Sequence, residues 1–317
     1  MAVRISFAFR VAAVPVLLAV IAIVETRHPF NMFRLVSLGV VFFLLVDIAS
    51  LLRGNWRDFL LVLTSLAFGI FLVEAAANIL EPKQSTVVSP EGLYGPRPAI
   101  GWGPGHPGRF HAEKTDPKTG ATIYSVDYTI DSNLLRQTLS CETGPTVVFF
   151  GCSFTFGEGL NDSATLPQAF VDSLDRRERV LNLGFSGYGP QHFLSELQSG
   201  ILDSVIGPQP KLFVFLTSAG HAERSACKPY WARHGPRYRI ENGQLILKGA
   251  CYEGLGLWLL DWLESSAAYR WLIEPYRRRV SHDDIELYLQ ITLAAVNFAK
   301  TKYGVPVILL YFKVEGD

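Results

Sequence analysis

Three apolar runs near the start of the chain constrain its fold more than any other feature. They are Val11 to Val24, Leu35 to Leu52 and Phe59 to Leu80. A backbone that crosses a bilayer must satisfy its own hydrogen bonds, and a helix of about 20 mostly apolar residues does so. The second and third runs meet that requirement, each interrupted by one acidic residue, Asp47 and Glu74. We therefore predict a membrane region over residues 1–80 with about three transmembrane helices.

The first run leaves a second interpretation open, because it is short and contains Pro15. Arg4 and Arg10 precede its apolar core, as in a secretory signal peptide, although residues 23–27 lack a small-x-small cleavage pattern. Lys and Arg are slightly enriched at the N-terminus and in the second short loop, which favours a cytoplasmic N-terminus. With three spans, we expect a multi-pass membrane protein whose globular part lies on the periplasmic side.

Charge and cysteine spacing exclude two classes of function. The 29 basic residues balance the 29 acidic ones, whereas nucleic-acid binding needs clustered positive charge. We predict the lipid bilayer as a partner and no nucleic acid. The four cysteines show no C-x-x-C spacing, so we predict neither a metal site nor a cofactor.

The remaining chain divides by composition into a connector and an α/β domain. Residues 81–145 are rich in proline and glycine, and a run of strand formers from Ala121 to Ile130 predicts a β-hairpin arm. Residues 146–317 alternate short apolar runs with helical patterns, which indicates a parallel sheet covered on both faces. The predicted strands are Thr146–Phe150, Arg179–Leu183, Lys211–Leu216 and Val305–Phe312.

An insertion at about residues 225–252 interrupts this alternation. Asn242-Gly243 lies between strand-like arms and predicts a hairpin. Cys227 and Cys251 flank it, and outside the cytoplasm they could form a disulfide at its base; the alternative is two unpaired thiols. A helical region from Leu255 to Ile273 follows, with tryptophans that we expect in the core or a groove wall: Trp258, Trp262 and Trp271.

One polar stretch, Gly151 to Gly159, follows the buried strand at Thr146–Phe150. Ser153 there sits where a strand turns toward a helix, between glycines. In open α/β sheets, ligands bind at the carboxyl ends of strands. Such a turn can expose a serine Oγ as a nucleophile with backbone N–H groups nearby, or it can be a turn without chemistry.

Two motifs together resemble the SGNH, or GDSL-type, esterase family. Gly151-Cys152-Ser153-Phe154-Thr155-Phe156-Gly157 resembles its first block, G-D-S-x-T-x-G, and Asn182-Leu-Gly-Phe-Ser-Gly187 resembles its second, N-x-x-x-x-G. The resemblance covers about half the chain, from Val147 to Phe312. It implies a three-layer α/β/α, flavodoxin-like fold and acyl-ester chemistry. It also implies that Ser153 is the nucleophile and that the Ser153 and Gly187 N–H groups form an oxyanion hole.

The chain departs from the family at three places. Cys152 replaces the aspartate of the first block, which leaves a minor alternative in which Cys152 itself attacks. The third block lacks its asparagine, and His221 is the nearest side chain that could act as a donor. The Asp-x-x-His block that carries the general base does not occur before Asp317. The sequence is then either part of a longer protein or catalytically silent.

Two hypotheses follow for the function. The first is a membrane-anchored esterase or O-acyltransferase that uses Ser153, Gly187 and His221 on acyl esters of cell-envelope glycans or lipids. The alternative is a non-catalytic binding or assembly module of the envelope that keeps the fold but lacks the base.

Overall fold

The computed structural model describes residues 15, 16, 19, 32–82, 86–88 and 90–313. Apart from positions 15, 16 and 19, the first predicted span, Val11 to Val24, lies outside the described residues. The chain divides into two compact units, the first of Met1–Pro82 with Leu255–Arg277 and the second of Lys83–Gly254 with Arg278–Asp317.

The helices and strands of the described residues have the following bounds. The helices are α1 (Met32–Leu51), α2 (Asn55–Leu80), α3 (Ser153–Phe156), α4 (Leu166–Ser173), α5 (Pro190–Ser199), α6 (Asp203–Ile206), α7 (His221–Ser225), α8 (Gly254–Glu264), α9 (Glu274–Arg277) and α10 (His282–Phe298). The strands are β1 (Thr86–Val88), β2 (Tyr94–Arg97), β3 (Gly101–Pro104), β4 (Gly108–Thr115), β5 (Thr122–Ile130), β6 (Thr146–Phe150), β7 (Arg179–Asn182), β8 (Pro210–Thr217), β9 (Pro236–Glu241), β10 (Gln244–Ala250) and β11 (Val307–Tyr311). Short 3₁₀ turns lie at Asp162–Ala164 and Tyr230–Ala232, and π-turns at Tyr269–Ile273 and Ala299–Tyr303.

In the first unit, α1 and α2 form a hairpin of two apolar helices. The stretches Arg34–Leu51 and Asn55–Leu80 are long and apolar enough to cross a membrane, and only 11% of each is buried within the protein. Phe42 and Phe68 pack between the helices with ring centroids 5.1 Å apart. A soluble amphipathic helix turns its apolar stripe inward, whereas these helices present apolar side chains outward.

The second unit contains a four-stranded parallel sheet in the order β11-β8-β6-β7. Counted along the chain, these parallel strands have the order 2-1-3-4, which is the flavodoxin-like doubly wound arrangement. Every residue of the central strand β6 is buried. The predicted parallel sheet is confirmed, because its strands carry the apolar β-branched and aromatic residues that a doubly covered sheet requires.

Alternate side chains of the sheet face two different helix layers. On one face, Val147 and Phe149 pack with Val171 of α4. On the other, Val148 and Phe150 pack with helices α5 and α10. The sheet therefore lies between two layers of helices, which confirms the predicted three-layer α/β/α architecture.

The preceding segment folds into antiparallel strands that pack beside the loops at the end of the sheet. The predicted hairpin arm is β5, which pairs with β4, while β1 extends the pair and β2 pairs with β3. Tyr128 of β5 packs on Phe156 of α3, whose ring contacts that of Phe185 after β7. Strands from the connector thereby support the two turns where the motifs lie.

The insertion folds as the pattern indicates, but the tryptophans of the helical region that follows it are not buried in a core. Asn242 and Gly243 both take positive φ between β9 and β10, as a tight hairpin turn requires. Trp258, Trp262 and Trp271 are 61%, 47% and 39% exposed rather than buried in a core. Helical spacing of apolar residues specifies one face of a helix but does not specify what covers that face.

Candidate active site

Ser153 occupies the first position of the short helix α3, directly beyond the buried strand β6. Gly151 takes φ +154, and a Cβ there would meet the Thr155 Oγ1 at 2.2 Å, so the turn admits only glycine. Cys152 caps the helix and is buried, whereas Ser153 is half-buried. The Thr155 and Phe156 N–H groups donate to the Cys152 carbonyl, both at 3.0 Å, whereas the Ser153 and Phe154 N–H groups have no acceptor within the described residues. The Ser153 N–H is therefore available to a ligand. No hydrogen bond to the Ser153 Oγ occurs within the described part of the chain.

Gly187 lies on the adjacent loop, five residues beyond the end of β7. Its φ is +84, and a Cβ would approach the Trp231 ring to 2.8 Å and the Trp102 ring to 3.1 Å. Both the left-handed backbone and the contact with two indole rings thus require glycine here. Any other residue at position 187 of the second motif would therefore have to displace one of these two rings.

Asn182 ties the two motif loops together. Its Nδ2 donates to the Thr155 carbonyl at 2.9 Å, and its Oδ1 accepts from the Gly184 N–H at 3.0 Å. The Phe185 N–H also donates to the Gly151 carbonyl at 3.2 Å. Because β6 and β7 are parallel neighbours, both loops start at the same edge of the sheet. The asparagine of the second motif is therefore a positioning residue for the Ser153 turn.

His221 is placed at the same edge, beyond β8, but it is buried with 0% exposure. Its Nδ1 lies 3.0 Å from the Thr217 Oγ1, which in turn lies 2.9 Å from the Tyr288 hydroxyl. Burial lowers the pKa of His221 well below its usual value, with smaller contributions from the positive charge of Arg224 and from His192. The imidazole is therefore neutral at physiological pH. Within the described residues, its Nε2 has no hydrogen-bond partner.

A second buried histidine, His192, begins helix α5 near Gly187. Its Nδ1 accepts from the Gly189 N–H at 3.3 Å, so the neutral ring carries its proton on Nε2. The ring stacks on Tyr188 at 4.2 Å and meets Trp102 edge-on at 4.7 Å. Burial, reinforced by Arg224, lowers the pKa of His192 to about 3. His192 therefore supports the aromatic residues around Gly187 as a neutral side chain.

A cavity of about 310 Å³ opens beside Gly187. Arg224 donates from Nη1 to the Tyr188 carbonyl at 2.7 Å, and its guanidinium lies 5.3 Å from the centre of the Trp231 ring. Trp102 is held by its Nε1–H, which donates to the Ser186 carbonyl at 2.9 Å. The lining residues are Tyr94, Trp102, Ser186, Gly187, Arg224 and Trp231. Aromatic faces with one fixed cation suit a ligand that has a ring or apolar face and oxygen acceptors.

The sequence did not reveal most of this lining. Tyr94 and Trp102 come from the connector strands β2 and β3, and Trp231 comes from the insertion between Cys227 and Cys251. Those cysteines form a disulfide with a Cα–Cα distance of 5.4 Å, which closes the loop that carries Trp231. In the sequence, the positions of these two cysteines on either side of the hairpin were the feature that indicated a disulfide-closed loop. In the described residues, no cluster of three metal-ligating side chains occurs.

Comparison with known proteins gives a limited match. No family model and no curated protein sequence match the chain. Among solved structures, it is similar to AlinE4, described as an SGNH-hydrolase family esterase, with 18% identity over 53% of this chain and 77% of that chain and a TM-score of 0.25. Two mutant forms of the esterase AlinE4 match with 19% identity over the same shares and the same TM-score. A match of this quality carries no argument about activity, so the α/β/α fold rests on the strands and helices described above.

Proposed function

We propose that the α/β domain is an SGNH-type esterase or O-acyltransferase that uses Ser153. The observation that supports this most is the convergence of two glycine-dependent turns at the carboxyl edge of a doubly wound sheet. One turn presents Ser153 at the start of a helix, and the other presents Gly187 beside a cavity. The two turns are joined through Asn182.

In this proposal, the Ser153 Oγ attacks the carbonyl carbon of an acyl ester and forms a tetrahedral intermediate. The negative charge develops on the carbonyl oxygen, where the N–H groups of Ser153 and Gly187 donate hydrogen bonds. A general base, which the described residues do not place in hydrogen-bond contact with Ser153, takes the Ser153 proton and passes it to the leaving alcohol as the intermediate collapses to an acyl-serine. Water or a sugar hydroxyl then attacks the acyl carbon, accepts the acyl group and returns a proton to the Ser153 Oγ. Losing one oxyanion donor of this kind lowers the rate about 10²- to 10³-fold. His221 is the proposed third-block group, a neutral imidazole that could contribute a hydrogen bond at this edge.

The proposed substrate is an acyl ester on a glycan or lipid of the cell envelope. The cavity beside Gly187 favours a ring-bearing acceptor, because Trp102, Trp231 and Tyr94 offer flat apolar faces and Arg224 offers a cation. The apolar helices α1 and α2 support anchoring in a membrane. The Cys227–Cys251 disulfide supports a location outside the cytoplasm, where disulfides persist.

Labelling with a fluorophosphonate probe tests the role of Ser153. We expect the full-length wild type to label and Ser153→Ala not to label. Ser186→Ala is the matched control, because Ser186 also carries a hydroxyl at the cavity but donates it to Glu158 at 2.8 Å. The catalytic proposal is wrong if wild type labels no faster than Ser153→Ala.

The alternative is a non-catalytic glycan-binding module with the same fold. The observation that favours it is that the two buried histidines bond to Thr217 and to the Gly189 N–H, and in the described residues neither bonds to Ser153. This alternative predicts binding of an acetylated oligosaccharide without turnover. Calorimetry on wild type and Trp231→Ala, alongside the labelling experiment, separates the two functions.

A further inference from the structure

The first unit also includes a segment of two helical stretches from later in the chain, residues 255–277. Helix α8 leads through a turn at Ser265 and Ser266 into a helical stretch from residue 267 to 277. The chain therefore leaves this unit at Pro82 and returns to it once, between β10 and α10.

Side chains of α1 and α2 cap both helix ends at this turn. The Glu74 carboxylate accepts from the Ala267 N–H at 2.7 Å, the Ala268 N–H at 3.3 Å and the Ser266 hydroxyl at 2.6 Å. Those N–H groups begin the stretch at residue 267, where a negative charge is favoured. Arg34 donates to the Trp262 carbonyl at 2.6 Å, at the end of α8 where a positive charge is favoured.

A third contact extends the attachment beyond the turn. Arg270 donates from two nitrogens to the Glu81 carboxylate, at 2.8 and 2.7 Å. Glu74 itself is only 2% exposed, so its carboxyl oxygens find their hydrogen-bond donors inside the protein rather than in water. The acidic residue that interrupts the third apolar run is thus a helix cap for a distant segment.

These contacts all lie at one end of the α1–α2 hairpin. Arg34 lies in the first turn of α1, and Glu81 directly follows α2. Glu74 is six residues before the end of α2, about 9 Å along the helix axis. The turn at Ser265 and Ser266 is therefore fixed near the depth where two membrane-crossing helices would meet the lipid headgroups.

The outward face of helix α8 is apolar. Leu255, Trp258, Leu259 and Trp262 have the i, i+3, i+4, i+7 spacing of a buried helix face, yet they are 77%, 61%, 46% and 47% exposed. The next helical stretch also exposes apolar side chains, Leu272 and Ile273, which are 46% and 54% exposed. A stripe of this composition requires an apolar cover.

We propose that residues 255–277 lie in the lipid interface of the bilayer, with the α8 stripe immersed among the acyl chains next to the headgroups. Two observations identify lipid as the cover. The segment is attached at the end of two helices whose own outward faces are apolar, and its stripe contains tryptophans, which are enriched where membranes meet water. The proposal rests on the part of the proposed function in which α1 and α2 cross a membrane.

Fluorescence quenching of a site-specific label by brominated lipids tests this proposal on the full chain. Cys141 and Cys152 are first replaced by serine, and single cysteines are introduced as Trp258→Cys, Phe68→Cys and Ile240→Cys. The protein is reconstituted in vesicles of phosphatidylcholine and phosphatidylglycerol, with or without brominated acyl chains. Phe68 is 42% exposed midway along α2, and Ile240 is 42% exposed on β9, so the two control sites are equally exposed to each other, while Trp258 is 61% exposed.

We expect brominated lipid to quench labels at positions 258 and 68 but not at 240. Quenching at 68 with none at 258 overturns the interfacial position of residues 255–277 while the anchor stands. No quenching at 68 overturns the anchor, and the inference with it. A label at 258 that neither brominated lipid nor aqueous iodide reaches means that another protein chain covers the stripe, which also overturns the inference.

Removing the cap tests why the segment stays in place. Glu74→Ala leaves the start of the stretch at residue 267 without its acceptor, and the label at 258 is expected to lose at least half of its quenching. Asp58→Ala, which removes an exposed carboxylate at the opposite end of α2, is expected to change nothing. Equal quenching in Glu74→Ala and wild type overturns the role of Glu74 as the anchor of the turn.

Discussion

Replacing Gly187 by alanine tests the site through a single methyl group. Gly187 has φ +84, and an alanine in the left-handed region costs about 1–2 kcal/mol. The new Cβ would also lie 2.8 Å from the Trp231 ring, which must withdraw by about 0.7 Å to reach an ordinary 3.5 Å contact. The variant therefore combines backbone strain with a displaced cavity wall.

Two effects of different size are expected from Gly187→Ala. The strain lowers the melting temperature by roughly 2–8 °C, at about 2–4 °C for each kcal/mol in a domain of this size. A shift of the Gly187 N–H away from the developing oxyanion lowers the rate of fluorophosphonate labelling by up to about 10²- to 10³-fold. The loss of labelling should thus exceed anything that the loss of folded protein explains.

Gly304→Ala is the matched control for the strain. Gly304 has φ +67, but a Cβ there has no neighbour within 4 Å among the described residues. Thermal unfolding and labelling rates are measured on wild type and both variants. Labelling of Gly187→Ala at the wild-type rate, or an equal loss of labelling in Gly304→Ala, would refute the assignment of Gly187 as a donor.

Three further predictions concern the supports of the site. Cys251→Ser opens a disulfide with a sequence separation of 24, which should lower the free energy of unfolding by roughly 3–4 kcal/mol in urea titrations; no change in the urea midpoint would contradict this. Asn182→Ala removes two buried hydrogen bonds and should cost about 2–4 kcal/mol, together with a loss of labelling, whereas Asn133→Ala at an exposed loop should cost little. Burial, and then the charge of Arg224, lowers the pKa of His192 to about 3 from an unfolded value near 6.5. Between these two pH values only the unfolded chain binds the proton. The free energy of unfolding is therefore at its full value above about pH 6.5 and falls as the pH falls toward 3, by up to about 1.4 kcal/mol per pH unit. The difference between the urea midpoints at pH 7 and pH 5 should become smaller in His192→Gln, although buried His221 keeps its own contribution. It should be unchanged in the control His106→Gln, which alters an exposed side chain.

The local elements of the fold were predictable because they depend on neighbouring residues. Five consecutive β-branched or aromatic residues specify β6, and Asn242-Gly243 specifies the β9–β10 turn. The positions of Ser153 and Gly187 at strand ends followed from the same patterns. Period and turn chemistry are short-range properties, so a single sequence carries them.

The surroundings of those residues were not predictable in the same way. Trp102 and Trp231 reach Gly187 from segments on either side of it in the chain, and their pairing depends on how β2–β3 and the disulfide-closed loop pack. His221 lies near the expected place, but its complete burial and its contact with Thr217 follow from the packing of α10, which supplies Tyr288. Such contacts join residues that are distant in sequence.

The sequence by itself determined that this protein has apolar helices of membrane-spanning length, a doubly wound α/β sheet, and a serine and a glycine at the ends of adjacent strands. Only the tertiary structure decided that Glu74 caps a helix almost two hundred residues away and that the stripe from Leu255 to Trp262 faces outward. The physical reason is that apolar spacing defines a face of a helix, whereas the partner of that face depends on the path of the whole chain.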